Sequence, residues 1–359
     1  MIKGNDATGN PGLTKARGSP RLSFEDKNLL NSLNQQEMKT ITNRFTQSAI
    51  VAITAIAFLF IASCSKHNSG GSGGGGTTPP PVVLIGGYAS SDSVAASNLI
   101  GYFNFNSNVN DSVGGQTGTA SGVTYVAGVR GQAYQGAKGA YATVPASAAI
   151  KALQSFSVSV WYSMPTAAKP TPTGGDPAGM FFVAGDSAND GNEIILESDV
   201  PDSAQYAADS LPIHSGLTNL GSPGWAGFTM NSYDTAKETW VHLVMTYNGG
   251  TSAYTLYENA TPIAVSSAFG TSVATLLYDG PLPVGSGSPA TTLLGNMVLT
   301  SDPPKTLYIG TWPPGLYGVS PTLGANGSFL GAMDELRIFN RELTQKEVTG
   351  LFLNGQAGR

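Results

Sequence analysis

Ser155-Phe156-Ser157-Val158-Ser159-Val160-Trp161-Tyr162 alternates polar and large apolar residues until it ends in two aromatics. Its residues alternate with a period of two. That period puts Phe156, Val158, Val160 and Tyr162 on one face of a β-strand. Outward from it the same grammar repeats. Trp240 to Tyr247 reads as a strand buried on both faces. Ala253 to Glu258 and Pro262 to Ser266 flank Asn259-Ala260, a hairpin turn. Phe181-Phe182-Val183, Ile194-Ile195-Leu196, Leu307-Tyr308-Ile309 and Glu335 to Phe339 read as further strands. Gly, Pro and Asn clusters punctuate them. Only the end reads as helix: Thr344-Gln345-Lys346-Glu347 has capping-box spacing, and Asn354-Gly355 reads as a C-terminal stop. The expected fold class is all-β, an antiparallel jelly-roll β-sandwich.

Ahead of this region the chain changes character three times. Residues 1–37 are polar and aperiodic, and read as an upstream gene-start artefact or a disordered leader. Residues 38–63 read as a secretory signal: Met38 opens it, Lys39 and Arg44 supply positive charge, and Ala49 to Ala62 is an uncharged, largely apolar run of 14. That run is short for a transmembrane helix, which needs about 20 residues. It ends in Ile61-Ala62-Ser63-Cys64, which resembles the lipobox of bacterial lipoproteins. The resemblance implies that Cys64 becomes the lipidated first residue of an exported protein. It further implies anchoring in the cell envelope, at the outer membrane, on the periplasmic or the surface face. Residues 64–97 follow as a linker. Gly70 to Gly76 is nearly all glycine and Pro79-Pro80-Pro81 follows, a flexible coil joined to a stiff spacer. Val82 to Ser97 reads either as a stray strand or as the apolar end of that linker. The sandwich is expected over residues 98–359.

Composition removes several functional classes. Charged residues make up 11% of the chain, too little Lys and Arg for a nucleic-acid binder. From Ser65 onward 11 basic residues stand against 19 acidic ones, so an anionic surface is no natural partner apart from the lipid anchor. Cys64 is the only cysteine, which excludes an intramolecular disulfide and a multi-Cys zinc site. His67, His214 and His242 are the only histidines and leave little room for His-based metal chemistry.

Six blocks, in order, carry a family resemblance. They are Asn98 to Asn106 with Asn110-Asp111-Ser112; Gly131 to Gly136; Phe156 to Tyr162; Trp240-Val241-His242-Leu243-Val244; Leu256-Tyr257-Glu258-Asn259; and Phe329 to Leu343. Together they resemble the laminin-G-like, concanavalin A-like jelly-roll domains. Ala260 stands where that family's hairpin usually has Gly. Pro/Gly/Ser-rich stretches near 163–179, 199–237 and 276–304 read as loop insertions. The resemblance implies a sandwich that binds glycans, glycoproteins or other cell-surface ligands, and the expected role is binding without catalysis.

Several residues are candidates for chemistry. Glu197 and Asp199 are alternate residues on a strand and so share a face, as the carboxylate pair of a glycosidase must. Glu197-Ser198-Asp199-Val200-Pro201-Asp202 resembles the acidic motif of jelly-roll laminarinase-like enzymes, but Pro201 interrupts the strand where the motif runs on. A jelly-roll glycoside hydrolase using this pair is one alternative function; a protein-binding adhesion module is another. Asp186 to Glu197 approaches a calcium-loop pattern, but its flanks read as strands and Ala188 replaces an oxygen ligand, so a turn explains it better. By the family resemblance, Asp111 and Asp334 are the carboxylates of a structural calcium site. Trp312, Tyr317, Trp225, Tyr206 and Tyr233 lie in Gly/Pro-rich loops, where aromatic rings either stack on sugars or pin the loops to the sandwich. Trp161, Trp240 and His242 sit in strand patterns and read as core. No nucleophile elbow and no phosphate loop is present.

Overall fold

A computed structural model describes residues 82–163, 178–184, 192–198, 213–217, 226–229, 239–263, 265–267, 270–272, 274–277, 293–297, 306–313 and 327–359. All fall in one compact unit, Pro80–Arg359. The leader, the signal segment, Cys64 and the Gly/Pro tether lie outside the described residues.

The described strands form two antiparallel sheets. The first runs β13 (Thr261–Ile263), β12 (Ala253–Glu258), β11 (Val241–Asn248), β6 (Phe156–Ser163), β18 (Ala332–Phe339), β4 (Gln132–Gln135), β3 (Thr124–Ala127). On it β1 (Leu99–Phe103) also pairs with β18, and β16 (Ala274–Leu276) with β12. The second runs β15 (Gly270–Ser272), β14 (Val265–Ser267), β10 (Ala226–Thr229), β9 (Ile213–Leu217), β8 (Asn192–Ser198), β7 (Ala178–Ala184), β17 (Thr306–Ile309), β5 (Tyr141–Pro145), β2 (Thr119–Ser121). Hairpin neighbours alternate with pairs distant in sequence, such as β6 with β18, β1 with β18 and β17 with β5, as in a jelly roll.

The core lies between the sheets. Phe156, Val158, Val160 and Tyr162 of β6 enter it with Val241, Leu243, Met245 and Tyr247 of β11. From the second sheet come Val183, Ile194, Leu196, Leu307, Ile309 and Val144. The alternation from Ser155 to Tyr162 therefore sets the face as expected. Val241 to Tyr247 is buried on both faces because His242, Val244 and Thr246 are covered from the other side; Trp240, expected in the strand and the core, is corrected to a half-buried residue just ahead of β11. The hairpin turn falls at Asn259-Ala260, where both residues have positive φ, 49° and 63°. Two consecutive left-handed residues give the twist a tight hairpin needs.

The cover on the outer face of the first sheet is the C-terminal helix, Gln345–Gln356. Its capping box forms as the sequence spacing indicates: Glu347 N–H donates to Thr344 Oγ1, and Thr344 N–H donates to Glu347 Oε2 at 2.8 Å. Arg341 clamps Glu347 and holds its carboxyl down at about 2. The expected stop at Asn354-Gly355 is corrected: the helix runs on to Gln356, and the first left-handed residue beyond it is Gly358, φ 66°. Gly355 serves packing instead. A Cβ there would sit 2.7 Å from the Trp161 indole, which lies against the helix.

The expected boundary at residue 98 is also corrected. A strap ahead of β1 belongs to the folded unit, with Ser91 and Val94 both buried. Ser91 N–H and Oγ both donate to the backbone oxygen of Arg359, at 3.1 and 2.7 Å. Asn354 Nδ2 donates to Ile85 O at 2.8 Å. These partners stand 268 and 269 residues apart, beyond the reach of any local pattern.

Candidate functional site on the outer faces of the sandwich

A two-sheet sandwich has two outer faces on which a site can be built. On the first sheet, local conformation fills that face with charge. Met333 and Leu336 of β18 both enter the core, so the register shifts between Asp334 and Arg337, and Glu335 takes φ 53°. This bulge turns Asp334 and Glu335 outward together. Glu335 accepts from Tyr102 Oη at 2.5 Å and from Arg337 Nη2 at 2.5 Å. The Arg337 guanidinium lies 4.4 Å over the Tyr102 ring. Asp92 of the strap closes the cluster, taking two 2.6 Å bonds from Arg130 and one of 2.9 Å from Arg337. The Arg130 bonds hold the Asp92 carboxyl below its usual range. Burial pushes the Tyr102 phenol up.

Beside this cluster His242 stacks on Trp161 with ring centroids 4.8 Å apart, and Phe352 of the helix stacks on both. His242 Nε2 bonds Ser159 Oγ at 2.8 Å. Burial lowers its pKa to about 3, with Arg337 adding to the shift. It is a neutral core histidine, as its strand context indicates.

The second sheet presents its outer face differently. Leu307 and Ile309 point to the core, so Tyr308 points away; Ala142 and Val144 do the same for Tyr141 and Thr143. Tyr308 pairs with Thr143 across β17 and β5, which puts Tyr141 at the diagonal position, about 7–8 Å away. Tyr141, Thr143, Thr306 and Tyr308 are all partly exposed. The edge strand β2 beside them is exposed throughout. In the other direction along the sheet, Ile195 and Glu197 share this face and are buried. Glu197 pairs with Gly179 on β7 and with His214 on β9.

The candidates named from sequence fall as follows. Glu197 is where strand alternation puts it, off the core, but with only 2% of its surface exposed. Asp199 lies outside the described residues, as do Tyr206, Trp225, Tyr233 and Tyr317. Trp312 is described and buried, which suits pinning more than display. Asp111 Oδ1 accepts from the backbone N–H groups of Tyr102, Val113 and Gly114, at 2.8–3.0 Å, and so organises its own turn. Its Oδ2 is buried without a hydrogen-bond partner. Asp334 accepts from Arg130 N–H through Oδ2 and from Glu335 N–H through Oδ1. Burial pushes its pKa up to about 7. Among the described residues no group of three or more His, Cys, Asp or Glu side chains is set to hold a metal ion. Asp111 Oδ2 is thus the one oxygen of this pair that a calcium ion could use without displacing an N–H donor.

Tyr141 and Tyr308 were not singled out by the sequence as site residues. The available signal was Leu307-Tyr308-Ile309, where one aromatic interrupts two core positions.

No curated protein matches the chain. Among solved structures it is similar to the botulinum neurotoxin serotype D binding domain, at 11% identity and TM-score 0.44, over 74% of this chain and 52% of that one. The chain thus spans about half the length of that toxin domain. It is similar to domain 4 of AbnA, a GH43 extracellular arabinanase from Geobacillus stearothermophilus solved with arabinotriose, at 19% identity and TM-score 0.39, over 71% of this chain and 98% of that one. A third is Trypanosoma rangeli sialidase, at 13% identity and TM-score 0.42, over 71% of this chain and 32% of that one. The family model described as the concanavalin A-like lectin/glucanases superfamily matches residues 136–297. With both sheets of the sandwich in place, the chain carries a laminin-G-like, concanavalin A-like jelly-roll domain.

Proposed function

We propose that this domain binds glycan, without catalysis, on the outer face of its second sheet, and that Tyr141 and Tyr308 form the platform. One observation carries the reading. The first sheet spends its outer face on the chain's own helix, strap and ion pairs, whereas the second offers two tyrosines at diagonal positions, both partly exposed. Such a pair matches the span of a sugar ring and gives its apolar face something to stack on while the phenols hydrogen-bond its rim. The proposal includes export and a lipid anchor at Cys64, with the Gly/Pro tether holding the domain off the membrane. Calcium belongs to it only at Asp111, where Oδ2 would supply one of the six to eight oxygens such an ion takes.

A glycan array probed with the full chain, with and without a chelator, tests the reading, with reducing-end release followed in the same wells. Retained glycan with no new ends is the expected result. Release of ends would replace this reading with the glycosidase one, for which Glu197, a carboxylate off the core and beside position 214, is the supporting observation. No retention of any glycan would leave protein adhesion in its place.

A further inference from the structure

Resting on that glycan reading, we infer that the tyrosine face takes uncharged polysaccharides and rejects acidic ones. The strands of the second sheet carry no lysine and no arginine. Their only ionisable side chains besides tyrosine are Glu193, Glu197 and His214. In sequence, residues 164–305, which supply six of these nine strands and four of the first sheet, hold 13 Asp or Glu against Lys169, Lys237 and Lys305. The described arginines do not make up the deficit. Arg130 and Arg337 are committed to Asp92 and Glu335, and Arg341 to Glu347, all on the side of the first sheet and its helix, and Arg359 at the helix end donates to Val83 O. The basic residues nearest to the tyrosines in sequence are Lys138, exposed in the loop ahead of β5, and Lys305, which lies outside the described residues.

A carboxylate or sulfate on a glycan needs a cation opposite it, best an arginine fork. Without one, that anion loses water on binding and gains no partner. The net negative charge of the sheet's own strands adds a longer-range repulsion, which salt screens within a Debye length of about 10 Å at 0.1 M. A neutral chain meets neither cost, because ring stacking and hydroxyl hydrogen bonds carry no net charge.

The test is retention of the full chain on matched polysaccharide pairs, at about 0.05 M and about 0.5 M salt, concentrations on either side of the screening regime. Suitable pairs are dextran and dextran sulfate, methyl-esterified and de-esterified polygalacturonan, and a neutral polysaccharide retained on the array beside its carboxylated derivative. We expect every retained polymer to be neutral. Neutral retention should be insensitive to salt, and the acidic partner at least about tenfold weaker at low salt, with the gap narrowing as salt rises. An acidic partner retained as well as or better than the neutral one overturns the inference and leaves the glycan reading standing. Failure to retain any polysaccharide overturns both.

Discussion

Arg337 and Glu335 meet at 2.5 Å with both side chains 2% exposed, and they meet because β18 bulges at Glu335. A left-handed conformation costs a non-glycine residue about 1–2 kcal/mol. The cost is sustained because Tyr102 and Arg337 both bond the carboxylate that the bulge turns outward. Breaking such a buried pair from one side strands a charge. Arg337→Leu should therefore cost about 3–5 kcal/mol in urea unfolding. The double variant Glu335→Leu/Arg337→Leu should lose less than Arg337→Leu alone. If the double variant loses the sum of the two single losses, the pair is not coupled as described.

The helix seat depends on a missing side chain. Gly355→Ala would improve helix propensity by about 1 kcal/mol on an open helix. Here its Cβ falls 2.7 Å from an indole already stacked against Phe352 and His242. Net destabilisation of about 1–3 kcal/mol is expected from calorimetry, the range for overpacking. A stabilised variant would place the helix farther from Trp161 than the account does.

Ala260 runs the other way. It holds φ 63° in the hairpin turn, while its methyl packs only at the partly buried edge of the cluster under the C-terminal helix. Ala260→Gly should raise stability by about 0.5–1 kcal/mol, the relief of left-handed strain outweighing the added freedom of the unfolded chain. Unchanged or lower stability would show that the turn is not strained at this residue.

These cases show what could be read from sequence. The Phe156 to Tyr162 alternation and the Thr344/Glu347 cap were legible because each is local: a strand's faces and a helix's first turn depend on residues two or three apart. The bulge at Glu335 was not, since no glycine marks it and the partners that stabilise it stand at Tyr102 and Arg130. The strap was read as linker because Ser91 finds its acceptor at Arg359. Tyr308 was legible as a strand residue, but which strand lies beside it, and so that Tyr141 is its diagonal neighbour, comes only from the pairing of β17 with β5.

His242 gives the fold an acid sensitivity with a definite sign. In the unfolded chain its ordinary pKa is 6.5; in the fold it is about 3. Between these values the unfolded state binds a proton that the folded state does not, so stability falls as pH drops through 6.5, by up to about 1.4 kcal/mol per pH unit from this residue. Comparing urea midpoints of the parent and His242→Gln from pH 7.5 down to pH 4 isolates the contribution. The advantage of the parent over the variant should shrink steadily with acid. Parallel curves would mean that the imidazole is not held neutral.

On the proposed reading, the ligand sits on the second sheet at Tyr141 and Tyr308. The most direct measurement is the affinity of Tyr141→Ala and Tyr308→Ala for the tightest glycan on the array, beside Asp92→Ala, which alters the strap and its ion pairs with Arg130 and Arg337 on the opposite sheet. Calorimetric titration of variants that melt like the parent should show each tyrosine variant weakened about tenfold, near 1.4 kcal/mol, and Asp92→Ala unchanged. Full affinity in both tyrosine variants, or a loss confined to Asp92→Ala, would contradict the account.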